Sequence, residues 1–222
     1  MTIHDAYFAQ LQAALLEEGE LRPRLIVDLD RLDHNIDQAV AFAARAGKAL
    51  RLVEKSLPSF ELLDYIARRA GTRRLMSFHQ PFLTLDAQHW PDADILLGKP
   101  MPVALVERFY QSLTGAFEPQ RQLQWLIGSP ERLEQYLGLA QRLGLRLNVN
   151  LELDVGLHRG GVPQGRAGAL MLSVLLQRIA QHSQHLRFTG FMGYEPHVAM
   201  LPRLFGAPER LLAQAMGIYQ AR

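Results

Sequence analysis

A lysine closes the run LRLVEK at residues 50–55, and Ser-Leu-Pro separates it from the helical pattern ELLDYIARR. An amine at the end of an apolar strand can lose part of its solvation and attack a carbonyl carbon. The plainer alternative is an ordinary solvated strand-end lysine. A second segment, NLELDVGLHRGGV at 150–162, gathers Asp154, His158 and Arg159 where a strand gives way to a glycine-rich turn. Arg159 offers a rigid donor fork to a phenolate or carboxylate, and Asp154 is placed to orient it. A polar loop held by one ion pair is the alternative there. The third segment, GFMGYEPHVAMLP at 190–202, carries Tyr194, Glu195 and His197. A tyrosine at that place could support a ring or phosphate, or move a proton. Glu195 and His197, together with His158, also open a metal reading, although glycine and proline spacing fixes no ligand geometry. Lys99, in LGKP at 97–100, is the rival amine. Pro100 and Pro102 give it a structured turn, so Lys55 is preferred. Met76, Phe78, Phe191 and Met192 lie in or beside strands and read as core.

These residues need a scaffold of alternating elements. The pattern predicts a helix at 4–18, a strand in LIVDL at 25–29 and a helix at 31–47 with Asp30 or Asp33 as cap. Strands follow in ALRLVEK, in RRLMSF at 73–78 and in DADILLGKP at 92–100. They continue in QLQWLIGS at 122–129, LRLNVNLELDVG at 145–156 and LRFTGFMGYEP. Helices are expected at 58–70 with Pro58 in the first turn, in PVALVERFYQSL and in SPERLEQYLGLAQRLG, the last with Ser129 as cap and Gly144 as stop. Others are expected at 164–182 and from about 207. Short strands alternating with long helices predict a parallel α/β sheet, either open and doubly wound or closed into a barrel. LIVDL aside, six strand–helix repeats are visible, and a (β/α)8 barrel needs about 250 residues. The expectation is therefore an incomplete TIM-like barrel.

Composition narrows the function classes. The 222 residues are 48% hydrophobic and carry a net charge of +2, with no dense basic block, so nucleic-acid binding has no support. With no cysteine, thiol nucleophiles, disulfides and thiolate metal sites are excluded. No apolar run of 18 residues predicts a membrane span, and the N-terminal residues lack a signal-peptide pattern. A cytoplasmic protein without membrane or nucleic-acid partners is expected.

In order along the chain, these segments resemble the alanine racemase-like, fold-type III pyridoxal-phosphate enzymes, nearest the D-threonine aldolase and D-serine dehydratase branch. PRLIVDLDRLDHNI is similar to that family's entry motif, with Asn35 and Ile36 in place. RLVEKS resembles the branch motif Arg-Pro-His-x-Lys-Thr, ELDVGLHRGGV the aspartate–arginine signature, and GFMGYEPH the tyrosine segment. The resemblance implies a pyridoxal 5′-phosphate-binding barrel with Lys55 as the Schiff-base lysine. It also implies Arg51, Asp154, Arg159, Tyr194 and His197 around the cofactor, with Lys55 and Tyr194 catalytic. It further implies a helical lead at 1–20 and a barrel domain at 21–222 with about six of eight strands. The family's C-terminal β-domain, which carries the branch's divalent-metal ligands, is not in this chain, so no metal ligand is assigned and any metal belongs to a full-length protein. Departures from the pattern are Leu52, Val53, Leu57 and Pro196.

The implied activity is a lyase reaction on a β-hydroxy-D-amino acid, by dehydration or aldol cleavage, through a Lys55 imine and an α-carbanion. A homodimer is implied for the full-length protein. Racemisation on the same fold and a non-catalytic pyridoxal-phosphate carrier are the alternatives within the family. Outside it stands a barrel enzyme using Asp154 and Glu195 as an acid–base pair, and an inactive fragment is the plainest reading.

Overall fold

The computed structural model describes residues 3–19, 22–57 and 59–197. The chain divides into two compact units, Met1–Phe42 and Ala43–Arg222.

In the first unit, helix α1 spans Ile3–Glu17, and Asp28 sits immediately before α2, Leu29–Arg45. Asp28, rather than Asp30 or Asp33, closes the start of α2: its carboxylate accepts the Arg31 N–H at 3.0 Å and the Tyr7 hydroxyl at 2.9 Å. Those two bonds hold the Asp28 carboxyl below the usual range. The expected strand at 25–29 does not form. Leu25 is fully exposed and Ile26 and Val27 are half-exposed, and no ladder pairing forms over these residues.

The second unit contains six parallel strands. They are β1 Leu52–Val53, β2 Arg74–Ser77, β3 Asp94–Leu97, β4 Leu123–Ile127, β5 Leu147–Leu153 and β6 Leu186–Gly193. Their spatial order is β1-β2-β3-β4-β5-β6, every neighbouring pair parallel. A doubly wound sheet reverses its strand order at a switch point. This one never does, so the sheet is of barrel type, incomplete, with six strands among the described residues.

The intervening helices are α3 Phe60–Ala70, α4 Gln80–His89, α5 Val103–Ser112, the one-turn α6 Pro119–Gln122, α7 Pro130–Leu143 and α8 Gly165–Gln181. Ser59 caps α3, which begins two residues later than expected, and Pro58 lies outside the described residues. Ser129 accepts the Arg132 N–H and Gly144, at φ 63°, ends α7, both as the pattern predicts. Helix α4 has no counterpart in the sequence reading. Its inner face mixes Leu83 and Ala87 with buried Gln80 and Asp86, which breaks the apolar stripe. The helix expected from about 207 lies outside the described residues.

The core fills the space between sheet and helices. Trp125 of β4 is fully buried with its ring 5.8 Å from Phe109 of α5 and 5.9 Å from Tyr136 of α7. The opposite face of the sheet is polar along β5, with Met76, Leu96 and Leu126 as apolar members from β2, β3 and β4. Asn148, Asn150 and Glu152 alternate along β5 with Leu147, Val149 and Leu151, and all six are buried. A hydrogen-bonded chain crosses this face. Arg51 binds both Asp94 carboxylate oxygens at 3.0 and 3.1 Å, and Gln124 donates to Asp94 at 2.7 Å. Asn150 then donates to Gln124 at 2.8 Å and to Thr189 at 3.0 Å. Amides and a charged pair that saturate one another in this way can lie inside a barrel without an unmet donor. Among the described residues no helix is long and apolar enough to cross a membrane.

Candidate active site

Strand β1 ends after two residues. At Glu54 the chain tightens into a 3-10 turn, Glu54–Ser56, closed by the Leu57 N–H on the Glu54 carbonyl at 2.8 Å. The Glu54 side chain accepts from Ser77 Oγ at 2.6 Å and from the Phe78 N–H at 3.3 Å. These side-chain bonds replace the ladder that a longer strand would have made, which is why the expected strand over 49–55 is so short. The turn leaves Lys55 at the carboxyl end of β1 with its Nζ 4.2 Å from the centre of the Phe78 ring. Phe78 in turn lies against Gly98. A Cβ built on Gly98 would stand 2.4 Å from two Phe78 ring carbons, so glycine is what lets the ring lie there.

On the far side, the chain leaves β5 and folds back on it. The Val162 N–H donates to the Glu152 carbonyl at 2.7 Å and the Asp154 N–H to the Val162 carbonyl at 2.9 Å. Gly161, at φ 89°, permits this return, because a Cβ there would meet the Glu152 carbonyl oxygen at 2.6 Å. Within the loop Asp154 accepts the Gly156 and His158 N–H groups, each at 3.0 Å, and its other oxygen lies 2.7 Å from His158 Nδ1. Burial raises the Asp154 carboxyl, but those bonds together carry it below the ordinary aspartate value.

Asp154 therefore holds His158, not Arg159. The partner of Arg159 is Glu152, a strand residue not among the expected site residues; the two form an ion pair with the Glu152 side chain 6% exposed. The Arg159 guanidinium also lies 4.5 Å from the centre of the Tyr194 ring and 3.5 Å from the Gly98 carbonyl. The signal for Glu152 was present in the alternation of Asn148, Asn150 and Glu152, since polar residues at every second position of an otherwise apolar parallel strand mark a face turned to a site.

Between these two sides lies a cavity of about 460 Å³. Val53, Lys55 and Ser56 border it from β1 and the turn, Met76 and Phe78 from β2, and Gly98 after β3. Arg159, Met192, Gly193, Tyr194, Glu195 and Pro196 complete it. Met192 lies in the core and Met76 packs against it, as read from sequence, and both also border the cavity with Phe78, while Phe191 is half-exposed and pairs edge-on with Phe188. All of these groups come from the carboxyl ends of strands, where barrel enzymes place their chemistry.

Three expected site residues, Arg51, Asp154 and His197, and the rival amine Lys99 do not border the cavity. Arg51 is engaged at the opposite, amino end of the strands, bonding the Leu75 and Asp94 carbonyls at 2.9 and 2.6 Å besides the Asp94 carboxylate. His197 is buried, with neither ring nitrogen hydrogen-bonded among the described residues, and does not border the cavity. Lys99 is exposed and outside it. Among the described residues no three His, Asp or Glu side chains converge in a metal-like cluster, and His158, Glu195 and His197 are not brought together.

Residues 27–209 match the sequence profile of the family described as alanine racemase, N-terminal domain. No curated protein sequence matches the chain. Among solved structures, D-threonine aldolase from Filomicrobium marinum is similar with a TM-score of 0.65 at 19% identity, over 90% of this chain and 52% of that one. D-threo-3-hydroxyaspartate dehydratase from Delftia sp. HT23 gives 0.62 at 19%, over 88% and 50%. A histidine racemase from Leuconostoc mesenteroides subsp. sake gives 0.62 at 14%, over 85% and 45%. The chain spans about half the length of each of these proteins.

Proposed function

This chain belongs to the alanine racemase N-terminal domain family, and from that premise we propose that its cavity holds pyridoxal 5′-phosphate on Lys55 and serves a reaction at the α carbon of a β-hydroxy-D-amino acid. The observation that carries the proposal is the convergence of Lys55, Arg159 and Tyr194 on one cavity at the carboxyl ends of the strands. The residues present fit the cofactor. Lys55 would supply an amine for its aldehyde and Arg159 a fixed cation for its phenolate oxygen, while Gly98 lets the Phe78 ring lie beside the amine. When bound, the cofactor supplies an electron sink for a carbanion at the substrate's α carbon.

The chain's own residues do the rest. The Phe78 ring under the Lys55 Nζ keeps the amine on the cavity side of the turn, where it can accept or return a proton at the α carbon. Glu152 fixes the direction of Arg159, and Arg159 lies over the Tyr194 ring, so that cation and phenol are held as one unit. Lys55 itself is exposed, so Met76, Met192 and Phe78 border its amine without enclosing it. The branch assignment rests on the motif order around Lys55 and Tyr194. A second reading, racemisation, is favoured by one observation: Lys55 and Tyr194 both face the same cavity and could serve as two proton carriers.

The test is to load the protein with pyridoxal 5′-phosphate, compare its visible spectrum with that of Lys55→Ala, and offer D-threonine, D-serine and D-alanine. A band in the parent alone, with aldehyde or keto-acid product from the hydroxy substrates, is the expected result. Inversion of D-alanine without β-cleavage would favour the racemase reading. No band in either protein would overturn the proposal.

A further inference from the structure

Behind Lys55 lies a pair of acids that the motif gives no reason to expect. Glu54 is 3% exposed and Asp86, from α4, is 1% exposed. Their side chains face one another next to Ser77, and one oxygen of each, Glu54 Oε2 and Asp86 Oδ2, is buried without any donor. Two ionised carboxylates cannot be left in that condition, since each would keep its desolvation cost with no compensating bond. A single proton between them removes the conflict, turning one acid into a donor for the other.

We propose that Glu54 and Asp86 form a proton-sharing carboxyl pair that anchors the Glu54–Ser56 turn and thereby acts as the positioning device for Lys55. The geometry links each step. Glu54 Oε1 takes the Ser77 hydroxyl at 2.6 Å and the Phe78 N–H at 3.3 Å, so the acid clamps the same residue whose ring lies 4.2 Å from Lys55 Nζ. Asp86 holds the remaining side of Glu54 from α4. The cavity the two acids share is only about 30 Å³ and is otherwise bordered by Leu57, Ser59, Phe60, Leu63 and Phe82. None of those side chains titrates: Leu57 follows the turn, Ser59, Phe60 and Leu63 come from the α3 side, and Phe82 from α4. From β2 the pair meets Ser77. Lys55, the adjoining residue, turns its amine away toward the Phe78 ring. Among the described residues no cation therefore neutralises the pair from within its own cavity. Burial, and after it the facing Glu54 carboxyl, push Asp86 up to about 9, in keeping with a proton retained at neutral pH.

The linkage has a definite sign. Asp86 is raised in the folded protein, so the stability it contributes is fully present below the ordinary aspartate value and is lost as pH rises toward about 9. Asp86→Asn stays neutral throughout and removes that dependence. The experiment is thermal unfolding of the cofactor-free chain between about pH 5 and about pH 9, parent beside Asp86→Asn. The parent should lose several degrees relative to the variant as pH rises through that window. Parallel profiles would overturn the shared proton. Glu54→Gln serves the same comparison should Asp86→Asn not fold. The infrared spectrum of the parent needs no variant: a protonated carboxylic-acid carbonyl band at neutral pH that disappears in alkali is expected, and its absence at neutral pH would overturn the pair.

The role toward Lys55 rests on the cofactor reading proposed above and has its own readout. Borohydride trapping of pyridoxal 5′-phosphate on Lys55 should slow about tenfold or more in Glu54→Ala, and Glu54→Gln should restore most of it. Equal trapping in Glu54→Ala and the parent would overturn the positioning role. No trapping on Lys55 in the parent, with the pH profiles diverging as described, would sink the cofactor reading and leave the carboxyl pair standing.

Discussion

The Glu152 carboxylate grips the Arg159 guanidinium from the strand beneath the loop that carries the arginine. A buried acid on β5 therefore aims the cation that faces the cavity. Glu152→Ala should leave Arg159 without its anchor. Because the arginine side chain is 24% exposed, the loss should be a discounted one, about 1–2 kcal/mol of stability rather than the full cost of a buried orphan charge. Cofactor affinity should fall about tenfold or more. Thermal unfolding and fluorescence titration with pyridoxal 5′-phosphate would measure the two effects, and unchanged affinity would remove Glu152 from the site.

Gly98 predicts a clash. Its added Cβ would stand 2.4 Å from the Phe78 ring and 3.0 Å from the Met76 sulfur. Gly98→Ala should displace the ring on which the Lys55 amine rests, at a cost of about 1–3 kcal/mol. A crystal structure or the melting temperature of the variant checks this, and an unmoved ring would contradict it.

Much of this architecture could be read in the residue pattern. All six strands begin near the expected positions, and Ser129 and Gly144 close α7 as their types require. What the pattern hid were features that depend on partners distant in sequence. LIVDL has the composition of a strand but forms no ladder pairing among the described residues. LRLVEK looks like a full strand, yet Glu54 finds Ser77 and Phe78 and turns the chain away after two residues. Helix α4 was lost because Asp86, buried for its contact with Glu54, interrupts the apolar stripe. Asp154 was paired with Arg159 by proximity along the chain, whereas the alternation on β5 puts Glu152 beneath the arginine. Lys55, Arg159 and Tyr194 were legible because each follows a strand at its carboxyl end.

Arg51 supplies a contrast with Lys55. It reaches Asp94 at the amino end of the strands, in the chain that continues through Gln124 and Asn150. Arg51→Met should destabilise the sheet by about 1 kcal/mol, since the partly exposed Asp94 loses its closest charge partner and keeps Arg74 at 3.7 Å. Attachment of pyridoxal 5′-phosphate to Lys55 should persist at neutral pH. Denaturant unfolding and the visible spectrum of the loaded variant separate the two outcomes.

Acid should loosen the loop that carries Arg159. Asp154 is held below its ordinary value, so its contribution is present above the unfolded aspartate value and is lost as pH falls through the lower folded one. Asp154→Asn should flatten the acid limb of the unfolding profile below about pH 4. An acid limb identical to that of the parent would show that the Gly156 and His158 bonds do not depend on the charge.

The central claim is that Lys55 holds the cofactor, and peptide mapping tests it most directly. The protein is incubated with pyridoxal 5′-phosphate, reduced with borohydride, digested and sequenced by mass spectrometry. The phosphopyridoxyl mass should fall on Lys55, in stoichiometric yield, and should vanish in Lys55→Ala. A label on Lys99 instead, or one spread evenly over Lys48, Lys55 and Lys99, would contradict the assignment of this cavity.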